Sequence, residues 1–80
     1  MAWVEYNKSL HLKLRTKSFA ESLELANQVG ALAEAARHHP DLELGWGYLN
    51  IHLTTHDQGC VTQLDRELAE RIDQTLGLGT

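Results

Sequence analysis

The residues able to do chemistry in this chain fall in three places. They are Glu34-Ala-Ala-Arg-His38-His39-Pro40, Thr54-Thr55-His56-Asp57 and Asp65. Imidazole has an unperturbed pKa of ~6.5, so it can give and take protons at neutral pH. Two adjacent histidines stopped by a proline, with a third beyond them, therefore point to general acid–base catalysis. Three histidines could also hold zinc with an open fourth position. The spacing speaks against that, because no His-x-x-x-His pair shares a helical face and adjacent histidines rarely aim at one ion. Simpler roles exist for each residue. His38 and His39 suit the end of a helix, where the macrodipole attracts an imidazolium. His56 suits a surface loop, and Asp65 a helix cap. Glu34 suits an i,i+4 partner of His38, and Trp46 the core or a rim.

The elements that must position these residues can be read from periodicity. Trp3 to Tyr6 reads as a short strand, and Asn7-Lys8-Ser9 as a turn. Leu10, Leu12 and Leu14 alternate with His11, Lys13 and Arg15, the pattern of a half-buried strand. His11 lies on the polar face and is expected to be solvated, as is His52 in a later strand. Ser18-Phe-Ala-Glu21 is a capping-box pattern, with Ser18 accepting from the first turn and Glu21 reaching back to the Ser18 N–H. A helix should run from about Phe19 to Arg37, with a stripe of Phe19, Leu23, Ala26, Val29, Ala33 and Ala36 widened by Leu25 and Leu32. Gly30 within it suggests close packing, and Pro40 stops it.

Asp41 to Trp46 and Leu49 to Thr54 alternate again, joined by Gly47-Tyr48 as a type II′ turn. His56 closes the second of these strands, and a loop runs to Gly59. Cys60 reads as a packing residue. Thr62-Gln-Leu-Asp65 reads as a second capping box. Leu64, Leu68, Ile72 and Leu76 form the stripe of a last helix to about Thr75, ended by Gly77 and Gly79. The order β-β-α-β-β-α implies an α+β layer: a four-stranded antiparallel sheet with two helices on one face. The strand order stays open.

Composition sets the class. Eighty residues make one small domain, expected to span 1–80, and a hydrophobic share of 42% suits a globular fold. Self-association would bury further apolar surface. A net charge of −4 does not suit a nucleic-acid surface. One cysteine allows no intrachain disulfide and suits a reducing, cytoplasmic setting. Neither a signal peptide nor a membrane span is read.

Taken in order, Glu34-x-x-x-His38-His39-Pro40, the aromatic Trp46, Thr54-Thr55-His56, Asp65 opening a helix and Leu68-Ala69-x-x-Ile72-Asp73 resemble the signature of the pterin-4a-carbinolamine dehydratases. The resemblance runs from about Trp3 to Ile72. It implies removal of water from 4a-hydroxytetrahydropterin to give the quinonoid dihydropterin, which recycles the cofactor of aromatic amino-acid hydroxylases. It implies His38, His39 and His56 as catalytic residues. It places Pro40, Thr55, Asp57 and Asp65 with them in the substrate pocket. It implies neither metal nor organic cofactor, a homodimer or homotetramer, and a possible protein partner, since animal members also serve as dimerisation partners of a homeodomain transcription factor. A non-enzymatic interaction module is the alternative that the same resemblance allows. The chain departs from the family's pattern at Trp46-Gly47-Tyr48, where Tyr-Asn-Lys is usual, and at Gly59-Cys60, where Gly-Gly is usual. No counterpart of the family's N-terminal helix is expected.

The implied reaction explains the histidines. A 4a-hydroxyl leaves poorly as hydroxide, so a general acid must protonate it while a ring nitrogen lone pair expels it. A second group then takes the proton released from the ring. One of His38 and His39 is expected to be the acid. The other, with His56, is expected to bind the pterin and handle the second proton.

Overall fold

The computed structural model describes residues 3–78. Its elements are β1 (Val4–Tyr6), β2 (Ser9–Arg15), α1 (Phe19–Ala36), β3 (Asp41–Gly45), β4 (Tyr48–Leu53) and α2 (Gln63–Leu76). The four strands form one antiparallel sheet in the order β1-β2-β4-β3. The expected α+β layer and element order are therefore present.

Two tight turns set the outer hairpins. Asn7 and Lys8 both take positive φ, 50° and 62°, as a two-residue turn twisted to match its strands demands. The second turn is centred on Trp46-Gly47 rather than Gly47-Tyr48, because Tyr48 already pairs with Gly45. Gly47 supplies φ 89° at the second central position, so the expected type II′ geometry, with positive φ first, does not occur.

Between the hairpins, β2 and β4 join across the centre of the sheet, with Leu10 opposite Leu53, Leu12 opposite Ile51 and Leu14 opposite Leu49. These side chains meet Ala26, Val29 and Ala33 of α1 and Leu68, Ala69 and Ile72 of α2 in one core. The buried stripe of α1 is Ser22, Ala26, Val29 and Ala33. Phe19 and Leu23, expected to lead it, are instead about half exposed. The stripe can begin at Ser22 because its hydroxyl is satisfied by the Ser18 carbonyl and the Thr16 hydroxyl. In α2, Leu68 and Ile72 are buried as expected and are joined by Asp65, Ala69 and Asp73, whereas Leu64 is exposed. Gly30 lies in open space, not at a close approach.

Caps explain the helix ends. The Glu21 N–H donates to the Ser18 hydroxyl, as expected, but the Glu21 carboxylate accepts from the Lys17 N–H rather than from Ser18. α1 stops before Pro40 can act. Arg37 takes a left-handed conformation, φ 53°, and the His38 N–H returns to the Ala33 carbonyl. Gly77 ends α2 with φ 70°. Gly79, also expected there, lies outside the described residues. No helix among the described residues is long and apolar enough to cross a membrane.

Candidate active site

Three segments converge at one end of the sheet: the turn that follows α1, the residues leaving β4, and the first turn of α2. The left-handed Arg37 redirects the chain so that His38 points inward and His39 outward. Their side chains are 12% and 61% exposed. After Leu53, Thr55 forms a single bridge with Cys60, its N–H donating to the Cys60 carbonyl, and the short loop between them carries His56. His56 thus lies beyond β4 rather than closing it. Cys60 is exposed and contributes its backbone to this loop, not its thiol to packing.

Asp65 is the anchor. It is fully buried yet well satisfied. His38 Nε2–H donates to Oδ1 at 2.5 Å, while the Thr55 hydroxyl at 2.7 Å and the Thr62 N–H at 2.9 Å donate to Oδ2. Since the Thr55 proton is committed to Asp65, the Thr62 hydroxyl, 2.6 Å from that of Thr55, must donate to it. Burial pushes the Asp65 carboxyl upward, but the hydrogen bonds from His38, Thr62 and Thr55 outweigh it and hold the group below the ordinary aspartate value. Asp65 therefore both caps α2 and fixes the tautomer and ring orientation of His38.

The second histidine makes a looser pair. His39 Nε2–H donates to Glu34 Oε2 at 2.5 Å, with both side chains mostly exposed. The helical i,i+4 partnership of Glu34 with His38 does not form, because the left-handed Arg37 breaks the helical path between them. The ring of His56 makes no hydrogen bond among the described residues.

A cleft of about 290 Å³ is lined by Arg37, His38, His39, Thr54, Thr55, His56, Asp57 and Leu64. All three expected catalytic histidines, with Thr55 and Asp57, face it. Pro40 does not line it, and Asp65 stands behind it. Arg37, Thr54 and Leu64 are additions. Leu64 gave a signal in the sequence, as an apolar residue in a first helical turn, but was read as core. Trp46 is 74% exposed at a hairpin tip and does not line the cleft. A larger depression of about 550 Å³ between the helices is lined by Leu32, Glu67, Glu70, Arg71, Gln74 and Thr75, and it contains no histidine. No group of three or more potential ligands among the described residues is arranged to hold a metal ion.

The family model for pterin 4 alpha carbinolamine dehydratase matches residues 1–75. The chain belongs to this family. Relatives agree with that assignment. A protein of Natronomonas pharaonis named "Putative pterin-4-alpha-carbinolamine dehydratase" is 40% identical over 73 residues, covering 91% of this chain and 79% of that protein. A Picosynechococcus protein of the same name is 38% identical over 72 residues, covering 90% and 78%. Among solved structures, the transcriptional coactivator/pterin dehydratase from Brucella melitensis superposes with a TM-score of 0.82 at 24% identity, over 91% of this chain and 80% of that one. A pterin dehydratase-like protein identified as a RuBisCO assembly factor in the alpha-carboxysome gives 0.75 at 23% identity, over 96% and 89%. At these identities the two structures share the fold of the pterin dehydratase family.

Proposed function

We propose that this chain removes water from a 4a-hydroxytetrahydropterin to give the quinonoid dihydropterin, using His38, His39 and His56. The observation that carries the reading is the meeting of three imidazoles in one cleft, one of them held by a buried carboxylate. Family membership supplies the substrate class. In this reading, one of His38 and His39 protonates the departing 4a-hydroxyl, which leaves as water while the ring nitrogen lone pair forms the new double bond. The other, with His56, binds the pterin and accepts the proton that the ring releases. Thr55 and Asp57 border the substrate, Arg37 makes the turn that presents the histidines, and Asp65 positions His38. Each proton transfer by a placed side chain is worth ~10²–10⁴-fold. No metal or organic cofactor takes part in the scheme.

The test follows the ultraviolet absorbance of freshly generated 4a-hydroxytetrahydropterin. Wild-type protein is expected to accelerate its decay, and His39→Ala to fall by at least tenfold toward the spontaneous rate. No acceleration by folded wild-type protein would sink the reading.

A second reading, a protein-interaction module, draws on the half-exposed Phe19 and Leu23, one turn apart on α1. The assembly factor of the same fold shows that such a role exists in a structural neighbour. The same surface suits self-association as a homodimer or homotetramer in the cytoplasm. Sedimentation showing only monomer at micromolar concentration would remove the oligomer. Retained protein binding without dehydratase activity would favour the module.

A further inference from the structure

The two histidines outside the cleft, His11 and His52, were expected to be solvated on polar strand faces. They lie directly opposite one another across the β2–β4 seam. Both are half-buried, on the sheet face away from the helices. Their Nδ1 atoms approach to 2.6 Å. The outer nitrogens are each committed. His52 Nε2 meets Glu43 Oε1 at 3.0 Å, and His11 Nε2 meets the Tyr6 carbonyl oxygen at 3.1 Å. A carboxylate and a carbonyl can only accept, so both Nε2 atoms carry the hydrogen. In two neutral rings, both Nδ1 atoms then present lone pairs to each other. That contact is repulsive unless something electron-poor lies between them.

A proton can take that place, and a short Nδ1···Nδ1 contact is what one shared proton produces. A metal ion can take it equally well. We propose that His11 and His52 form a two-imidazole site for a divalent first-row ion such as zinc or copper on the open face of the sheet. The outer hydrogen bonds are those that metal-bound histidines make: the second N–H goes to a carboxylate or a backbone carbonyl, which fixes the tautomer and turns the other lone pair toward the ion. At Zn–N distances of ~2.0–2.1 Å and a tetrahedral angle, the two Nδ1 atoms stand about 3.3 Å apart. The rings need to open by only about 0.7 Å to reach this. Further support comes from both neighbours. The Tyr6 ring stacks on His11 with centroids 3.8 Å apart and holds it against rotation. The Glu43 carboxylate accepts the His52 Nε2–H and so keeps the His52 Nδ1 lone pair turned toward His11. Two protein ligands leave the remaining positions to water or an incoming donor. Imidazole suits zinc, copper and nickel, and copper(II) binds most tightly in that series. Neither histidine lines the cleft, so the site is independent of the proposed dehydration.

The experiment titrates the full, untagged chain with zinc chloride and, separately, copper(II), by calorimetry. Binding is expected to saturate at one ion per chain and to weaken at least tenfold in His11→Gln and in His52→Gln. Glu43→Ala should weaken it by roughly ten- to a hundredfold by releasing the outer N–H. His56→Ala should leave it unchanged. Circular dichroism checks that each variant is folded. Ring ¹⁵N resonances of the wild-type protein give a measure that needs no variant, since those of His11 and His52 should shift together on adding zinc. Saturable binding that persists in both glutamine variants, or is lost in His56→Ala, would assign the ion to the cleft and overturn the proposal. So would unmoved His11 and His52 resonances, which would mean that the pair holds a proton only.

Discussion

Asp65 concentrates the cost of the site in one carboxylate. It takes hydrogen bonds from an imidazole, a hydroxyl and a backbone N–H while fully buried. Asp65→Asn turns one of these acceptors into a donor facing a donor. About 2–4 kcal/mol of stability should be lost in urea unfolding. If Asp65 positions His38, dehydration should also slow by at least tenfold under conditions where the variant stays folded. A purely capping role would lower stability alone. The pH dependence has a defined sign. The folded carboxyl sits below its ordinary value, so its contribution is full above the unfolded pKa of ~3.9 and is lost as pH falls through the folded one. The gap between wild type and Asp65→Asn should therefore narrow on acidification below about pH 4, measured by melts across that range. The sequence pointed to His38, His39, His56 and Asp65 because their types are scarce and their order is specific. It could not pair them. Whether Glu34 meets His38 or His39 depends on the left-handed turn at Arg37, which no glycine announces.

At the scale of elements, helix lengths and strand spans were legible because alternation and capping residues are local signals. Faces were less so. The α1 stripe was expected to start at Phe19 and Leu23, since hydrophobicity alone ranks them above Ser22. The serine is buried because its hydroxyl finds partners in the turn before it, a tertiary fact. Gly30 illustrates the same limit from the other side. A glycine inside a helix suggests a close neighbour, yet a Cβ here would meet nothing within 4 Å. Gly30→Ala should therefore stabilise the fold by about 0.5–1 kcal/mol through helix propensity and a less free unfolded chain. In a domain of this size that is a rise in melting temperature of roughly 2–8 °C, read by calorimetry. The His11–His52 pair was illegible for a related reason. Only the strand order and register bring the two rings together, and the sequence left both open.

Across the whole molecule, the first described residue is tied to the last helix. Trp3 Nε1–H donates to Asp73 Oδ1 at 2.8 Å, and the buried Asp73 Oδ2 has no hydrogen-bond partner among the described residues. Trp3→Phe keeps much of the packing but strips the buried carboxylate of that donor. A loss of about 1–3 kcal/mol is expected in urea unfolding. The exposed Arg66–Glu5 pair also bridges distant parts of the chain, but solvent screens it, and Glu5→Gln should change stability by less than about 1 kcal/mol in the same measurement.

The strand order has a consequence in time. Each outer hairpin joins segments that are neighbours in sequence and can close in roughly 1–10 μs. The β2–β4 seam pairs Leu10 with Leu53 and Arg15 with Tyr48, so it must wait for the whole of α1 and β3 to be drawn in. Trimming the seam, as in Ile51→Val, should then slow folding in stopped-flow refolding, whereas trimming the outer strand, as in Val4→Ala, should mainly speed unfolding. The cleft belongs to the late event too, because Thr55 and His56 leave from the end of β4. A chain caught before the seam closes would hold both hairpins and no histidine cleft.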